Sequence, residues 1–171
     1  DLDYFGANEA EGSDDVSVTI DLGQGLNTFH TNFYAASNGG ELIYTGGGDV
    51  DDLFIRQGAA QDGGKITLDA GNGQNELYLG FYAARNGGEL SYTGGTGVDL
   101  IDINKEAAQN GGKVTFDLGN DEAADVIAFW KSAGNDDGTV IIQNFDAGGN
   151  GVEPEDTMIF EKIGTVDGIT I

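Results

Sequence analysis

Five glycine-rich turns recur along this chain with acidic or amide side chains at their ends, a combination suited to holding a hard cation. They are Asp21 to Asn27 (DLGQGLN), Thr45 to Asp51 (TGGGDVD), Asp69 to Asn75 (DAGNGQN), Thr93 to Asp99 (TGGTGVD) and Asp117 to Asp121 (DLGND) followed by Asp125. Gly23, Gly47, Gly71, Gly95 and Gly119 occupy one position in all of them. In the first four, a turn that opens with Asp closes with Asn, and one that opens with Thr closes with Asp. The alternation keeps equal carboxylates from stacking directly at strand spacing, where their repulsion would be costly. Calcium takes about six to eight oxygen ligands at roughly 2.3 to 2.6 Å with tolerant geometry, which carboxylates and turn carbonyls of neighbouring loops can supply. The same residues also suit a metal-free stack in which Asn and Asp merely cap the turns.

The elements that must position these turns follow from an internal repeat. Residues 18 to 113 divide without gaps into four segments of 24, beginning at Val18, Leu42, Ile66 and Leu90. A looser fifth copy begins at Val114 and carries about two extra residues before Asp125. Val18 to Lys65 and Ile66 to Lys113 are identical at 27 of 48 positions, so the duplicated unit is a pair of coils. Inside each segment apolar residues alternate twice. Val18/Leu42/Ile66/Leu90/Val114 and Ile20/Tyr44/Leu68/Tyr92/Phe116 precede the acidic turn; Phe29/Leu53/Leu77/Ile101 and Thr31/Ile55/Leu79/Ile103 follow it. A period of two places each column on the inward face of a strand, and glycine recurs too often for long helices. The expected fold is all-β: a right-handed parallel β-roll or β-solenoid of 24-residue coils stacked at ~4.8 Å, with a C-terminal capping β segment. Residues 18–138 form its five coils, 1–17 a partial N-terminal coil or cap, and 139–171 the C-terminal cap.

A second turn in each coil reads A-A-x-[N/D]-G-G and is followed by Glu41, Lys65, Glu89 and Lys113 in one column. Alternating sign puts opposite charges on adjacent coils and opposes a slip of register. Such exposed pairs contribute ~0.5 kcal/mol each. Ahead of the repeat, Asp3-Tyr4-Phe5 falls where Asn27-Thr28-Phe29 falls one coil later. Asp1 in place of an initiator Met suggests a processed or excised fragment, with a sheet edge left for a cap or partner.

The nine residues from Gly94 to Asp102 read G-G-x-G-x-D-x-U-x with Ile101 as the large apolar residue, and they resemble the RTX (hemolysin-type) calcium-binding repeats. The resemblance implies a turn that exposes carbonyl oxygens, an aspartate ligand, a strand beginning in the last three residues, and a calcium ion (Ca2+) between stacked loops. By that implication Asp51 and Asp99 are the main ligands. Asp21, Asp69, Asp117 and Asp125 come next, Asn27 and Asn75 offer neutral carbonyl oxygens, and Asp49 and Asp102 complete the candidate set. The chain departs from the family pattern in carrying one motif per 24 residues and in having Asp49 where the motif has glycine. The family resemblance implies a secreted or cell-surface protein that folds on calcium outside the cell, as a structural or adhesive module. The alternatives are the secretion and folding module of a type I secreted enzyme, whose catalytic part lies upstream, and an ice-binding solenoid. Against the last, the outward column Thr19/Ile43/Thr67/Ser91/Thr115 is interrupted.

Composition agrees with a turn-rich domain large enough for a core: 171 residues, 30 Gly, one Pro and 39% apolar residues. Thirty acidic against seven basic residues give a net charge of −23, which disfavours nucleic acid and anionic membranes and favours cations. With no Cys there is neither a disulfide framework nor a thiolate zinc site. No apolar run reaches a membrane span. His30 is the only histidine, on an outward strand position beside Phe54 and Tyr78, and has no second His for a transition-metal site. Pairs such as Asp51/Asp52 and Asp99/Asp102 could mimic the two acids of a glycosidase, but metal ligation explains them better. No nucleophile, base and oxyanion-donor set is recognisable, and the fragment is read as non-enzymatic. Phe33-Tyr34 and Phe81-Tyr82, with Phe129-Trp130, form an aromatic ridge suited to closing the core or, like the sheet edge, to self-association.

Overall fold

The computed structural model describes residues 2–5, 16–31, 33–130, 133–146, 155–160 and 169–171. They contain strands and turns and no helix. Among the described residues fourteen strands build two sheets. The odd-numbered sheet holds β1 (Leu2–Phe5), β3 (Asn27–Thr31), β5 (Asp51–Ile55), β7 (Asn75–Leu79), β9 (Asp99–Ile103), β11 (Val126–Phe129) and β13 (Thr157–Phe160), in that spatial order. The even-numbered sheet holds β2 (Ser17–Asp21), β4 (Glu41–Gly47), β6 (Lys65–Gly71), β8 (Glu89–Thr93), β10 (Lys113–Asp117), β12 (Thr139–Gln143) and β14 (Ile169–Thr170). All the pairings within the two sheets are parallel. The chain is a parallel β-solenoid.

Register follows the 24-residue period: Glu41 lies beside Lys65, Lys65 beside Glu89, and Glu89 beside Lys113. Lys65 Nζ comes within 3.9 Å of a Glu41 carboxylate oxygen at the exposed end of the strands. The two extra residues fall between β10 and β11, since Thr93 pairs with Asp117 but Leu100 pairs with Val126. The segment 139–171 contributes β12, β13 and β14, which continue both sheets in parallel. At the other end the expected register does not hold. Leu2 lies beside Phe29 and Phe5 beside Thr31, with an irregularity between them, so Phe5 does not take the place one coil before Phe29. The stretch before β2 lacks the two-residue alternation that pins register elsewhere.

The core lies between the sheets. The four inward columns are buried from Leu42 onward, and Phe29, Tyr44, Tyr92, Phe116 and Phe129 are its largest members. Each fully buried Leu or Ile contributes about 1.5 to 3 kcal/mol. The Phe29 and Tyr44 rings stack across the core with centroids 5.0 Å apart. The second turn seals one margin with buried Ala35-Ala36, Ala59-Ala60, Ala83-Ala84 and Ala107-Ala108. The last glycine of that turn is sterically required. A Cβ on Gly64, Gly88 or Gly112 would fall 1.6 Å from the carbonyl oxygen of Ala36, Ala60 or Ala84 in the coil below.

Candidate functional site

The residue that closes each acidic turn is also the first residue of the strand that follows. In β3, β5, β7 and β9 the alternation begins buried, so this first residue points inward with the apolar columns. Asn27, Asp51, Asn75, Asp99, Asp125 and Asp156 therefore form a buried polar column in the interior. Asp51 and Asp99 are fully buried.

The column is a hydrogen-bond ladder. Asp51 N donates to Asn75 Oδ1 at 3.2 Å, Asp99 N to Asp125 Oδ1 at 2.8 Å, and Asp125 N to Asp156 Oδ1 at 2.9 Å. Amide nitrogens meet carboxylates between coils: Asn27 Nδ2 donates to Asp51 Oδ1 at 2.8 Å, and Asn75 Nδ2 to Asp99 Oδ1 at 3.1 Å. This accounts for the Asn/Asp alternation more directly than avoidance of repulsion does. The alternation ends at Asp99, where Asp125 and Asp156 follow without an intervening amide.

Electrostatics at that end are unfavourable to ionised carboxylates. Burial, reinforced by the Asp125 charge, pushes Asp99 up to about 7 against opposing hydrogen bonds from Asn75 and the influence of Tyr92. Asp125 is also pushed up to about 7, chiefly by burial, with Asp156 and Asp121 adding repulsion against the hydrogen bond from Asp99 N. Asp51 is raised by burial as well, opposed by Asn27, Tyr44 and the Gly47 backbone N–H. The Tyr44 and Tyr92 hydroxyls are raised by burial and then by Asp51 and Asp99 respectively. They stand close enough to bias these carboxylates, yet Tyr44 Oη, Asp51 Oδ2, Tyr92 Oη and Asp99 Oδ2 are all buried without a hydrogen bond of standard geometry.

Those orphaned oxygens are cradled by glycine. A Cβ on Gly46 would lie 1.7 Å from Asp51 Oδ2, and one on Gly94 would lie 1.5 Å from Asp99 Oδ2. A buried carboxylate oxygen whose facing tyrosine hydroxyl makes no hydrogen bond of standard geometry is favoured to hold a proton or to face a cation. The donor set therefore fits a hard cation at the Asp51 and Asp99 turns, where carboxylate and backbone oxygens would hold it.

Of the other candidates, Asn27, Asn75 and Asp125 share the column with these two, and the rest are engaged elsewhere. Asp21, Asp69 and Asp117 each accept the N–H of the turn glycine two residues on, Gly23, Gly71 or Gly119, at 3.0, 3.2 and 3.2 Å. They occupy alternate coils, with Thr45 and Thr93 between them in register. Asp49 Oδ2 accepts Gly25 N at 2.9 Å. Asp102 faces outward from β9 and accepts the Trp130 indole N–H at 3.2 Å, on the opposite face from Asp99. Asn27 and Asn75 present amide donors to their turns instead of ligand oxygens. Among the described residues no three His, Asp or Glu side chains converge on a point.

Three participants escaped the sequence reading: Tyr44 and Tyr92, which the apolar columns absorbed as core, and Asp156, which lies outside the repeat. A usable signal was present at the second position of the first four turns. Gly46 and Gly94 accompany a closing Asp, whereas Leu22 and Ala70 accompany a closing Asn. On the outer face of the odd-numbered sheet His30, Phe54 and Tyr78 stand in a row, with centroids 4.5 and 6.1 Å apart. Phe54 and Tyr78 line a groove of about 340 Å³ with Phe33, Arg56 and Phe81. In the aromatic ridge, Phe129 closes the core while Trp130 and the residues at 33, 34 and 81 remain exposed.

Compared with known proteins, the chain matches no family model, no curated protein and no solved structure. Among the described residues no helix is long and apolar enough to cross a membrane.

Proposed function

We propose that this chain is a calcium-stabilised structural or adhesive module of a secreted or cell-surface protein. The observation that carries the reading is the pair of fully buried carboxylate oxygens, Asp51 Oδ2 and Asp99 Oδ2, which no hydrogen bond of standard geometry reaches and which each lie against a glycine of their own acidic turn. When bound, calcium supplies the positive charge that these oxygens lack. Asp51 and Asp99 would hold it with turn carbonyls, while the Asn27 and Asn75 amides and the backbone ladder keep the carboxylates in place. A net charge of −23 raises the local concentration of cations and opposes compaction without them. An ion that binds only the folded turns stabilises by RT ln(1 + [L]/Kd), about 2.7 kcal/mol per site at a hundredfold excess. Millimolar calcium outside the cell suits such a switch. The stacked scaffold then displays its outer faces, including the aromatic groove, for contact with other surface components.

The test is a calcium titration of the far-ultraviolet spectrum and melting temperature for the unaltered chain, Asp99→Ala and Glu89→Ala. The expected result is partial folding in chelator, full order in millimolar calcium, and a higher calcium requirement for Asp99→Ala than for Glu89→Ala. Equal stability of the unaltered chain in chelator and in calcium would remove the reading.

A further inference from the structure

The acidic turns are of two chemical kinds. Around Asn75 Nδ2 stand four oxygens: Gly71 O at 3.3 Å, Gly73 O at 3.1 Å, Gly94 O at 3.2 Å and Asp99 Oδ1 at 3.1 Å. An amide nitrogen has only two hydrogens to share among them. The ladder settles which amide atom is which, since Asn75 Oδ1 accepts Asp51 N and leaves Nδ2 facing the oxygens. An oxygen-rich cage drawn from two successive turns and a carboxylate is an environment for positive charge, and here a neutral side chain of the protein itself fills it. Asn27 Nδ2 does the same one pair of coils earlier, reaching Gly23 O at 3.2 Å and Asp51 Oδ1 at 2.8 Å.

A carboxylate cannot stand where the Asn75 amide nitrogen stands, because an oxygen would meet four others. Asp51 and Asp99 instead place Oδ2 against Gly46 and Gly94, in space that a Cβ would occupy. In the Asn75 turn the corresponding residue is Ala70, fully buried, whose methyl group takes that space. In the four turns of the regular repeat the choice at the second position and the choice at the close are thus one steric decision; the fifth turn, with two extra residues, closes on Asp125 with Leu118 at the second position.

We propose that the turns closing on Asn are sealed by their own amide and take no ion, that ions enter only the turns pairing Gly46 with Asp51 and Gly94 with Asp99, and that an Asn turn becomes an ion site only when both its positions are exchanged. The proposal rests on the calcium reading above and adds to it a rule for which turns are occupied.

The experiment counts calcium bound per folded chain by native mass spectrometry and by isothermal titration, with melting temperatures in chelator as a second readout. Ala70→Gly/Asn75→Asp should bind one more calcium than the unaltered chain and melt lower in chelator. Asn75→Asp alone should melt lower in chelator without gaining the ion, because the Ala70 methyl still fills the carboxylate's place. Asp99→Asn should bind one calcium fewer and need less calcium to fold, and it decides the matter if the double variant does not fold. Unchanged counts in both the double variant and Asp99→Asn, with calcium still bound by the unaltered chain, would overturn this proposal and leave the calcium reading intact. No calcium bound by the unaltered chain would overturn both.

Discussion

Asp99 and Asp125 occupy successive rungs of a buried column, and their proton equilibria carry a prediction for the chelated protein. Both carboxyls are raised by burial to about 7 from an ordinary value of 3.8. Between those limits the folded state retains protons that the unfolded state releases, so stability falls as pH rises. The contribution is fully present below the unfolded value and lost through about pH 7. In chelator the urea midpoint should therefore be higher near pH 5 than near pH 8, by a difference on the order of a few kcal/mol in unfolding free energy. Asp99→Asn should flatten that slope, and a midpoint that rises with pH in chelator would show that burial does not raise these carboxyls. Saturating calcium should reduce the dependence, because the bound ion favours the ionised carboxylate.

At the scale of one coil, the two glycines of the second turn separate conformation from packing. Gly87 has φ +75° and open space around a hypothetical Cβ, whereas a Cβ on Gly88 would lie 1.6 Å from Ala60 O. Gly87→Ala should cost about 1 kcal/mol, the strain of a left-handed alanine. Gly88→Ala should cost about 3 kcal/mol or more, because a rigid backbone carbonyl one coil below must move. Urea unfolding in saturating calcium measures both. A larger loss for Gly87→Ala would mean that the coils do not stack as closely as the register requires. The charge column beside this turn is a weaker device: with the Lys65 and Glu41 side chains largely in water, it specifies register more than it adds stability.

At the scale of the molecule, two kinds of cation effect should be separable. Sodium chloride screens the repulsion of a chain carrying −23 and should raise the melting temperature in chelator gradually up to about 1 M. Calcium should raise it further at millimolar concentration, with saturation. Magnesium at the same ionic strength should behave like salt, since it demands near-octahedral geometry and gives up its water reluctantly. A melting temperature that responds equally to calcium and magnesium would place the effect in screening rather than in the turns.

The fold was legible because a strict period of 24 residues admits one solution for apolar columns that alternate by two. Every coil must stack on its neighbour in the same phase, and the pairings from Ser17 to Asp117 follow it. The turns and the residue types in them were legible for the same reason. What tertiary structure alone decided was direction and company. Asp51 and Asp99 could be read as turn residues or as strand residues, and only the meeting of two sheets shows that their strand phase prevails and turns them into the core. Tyr44 and Tyr92 enter the same column as leucines, so their pattern reports burial and nothing of the carboxylates their hydroxyls face. Asp156 has no repeat to mark it, and it joins the ladder because β13 stacks on β11 after a connection outside the 24-residue period. Periodicity specifies which residues share a face, whereas the partners of a buried polar atom depend on what the opposite sheet and the next coil bring within hydrogen-bond reach.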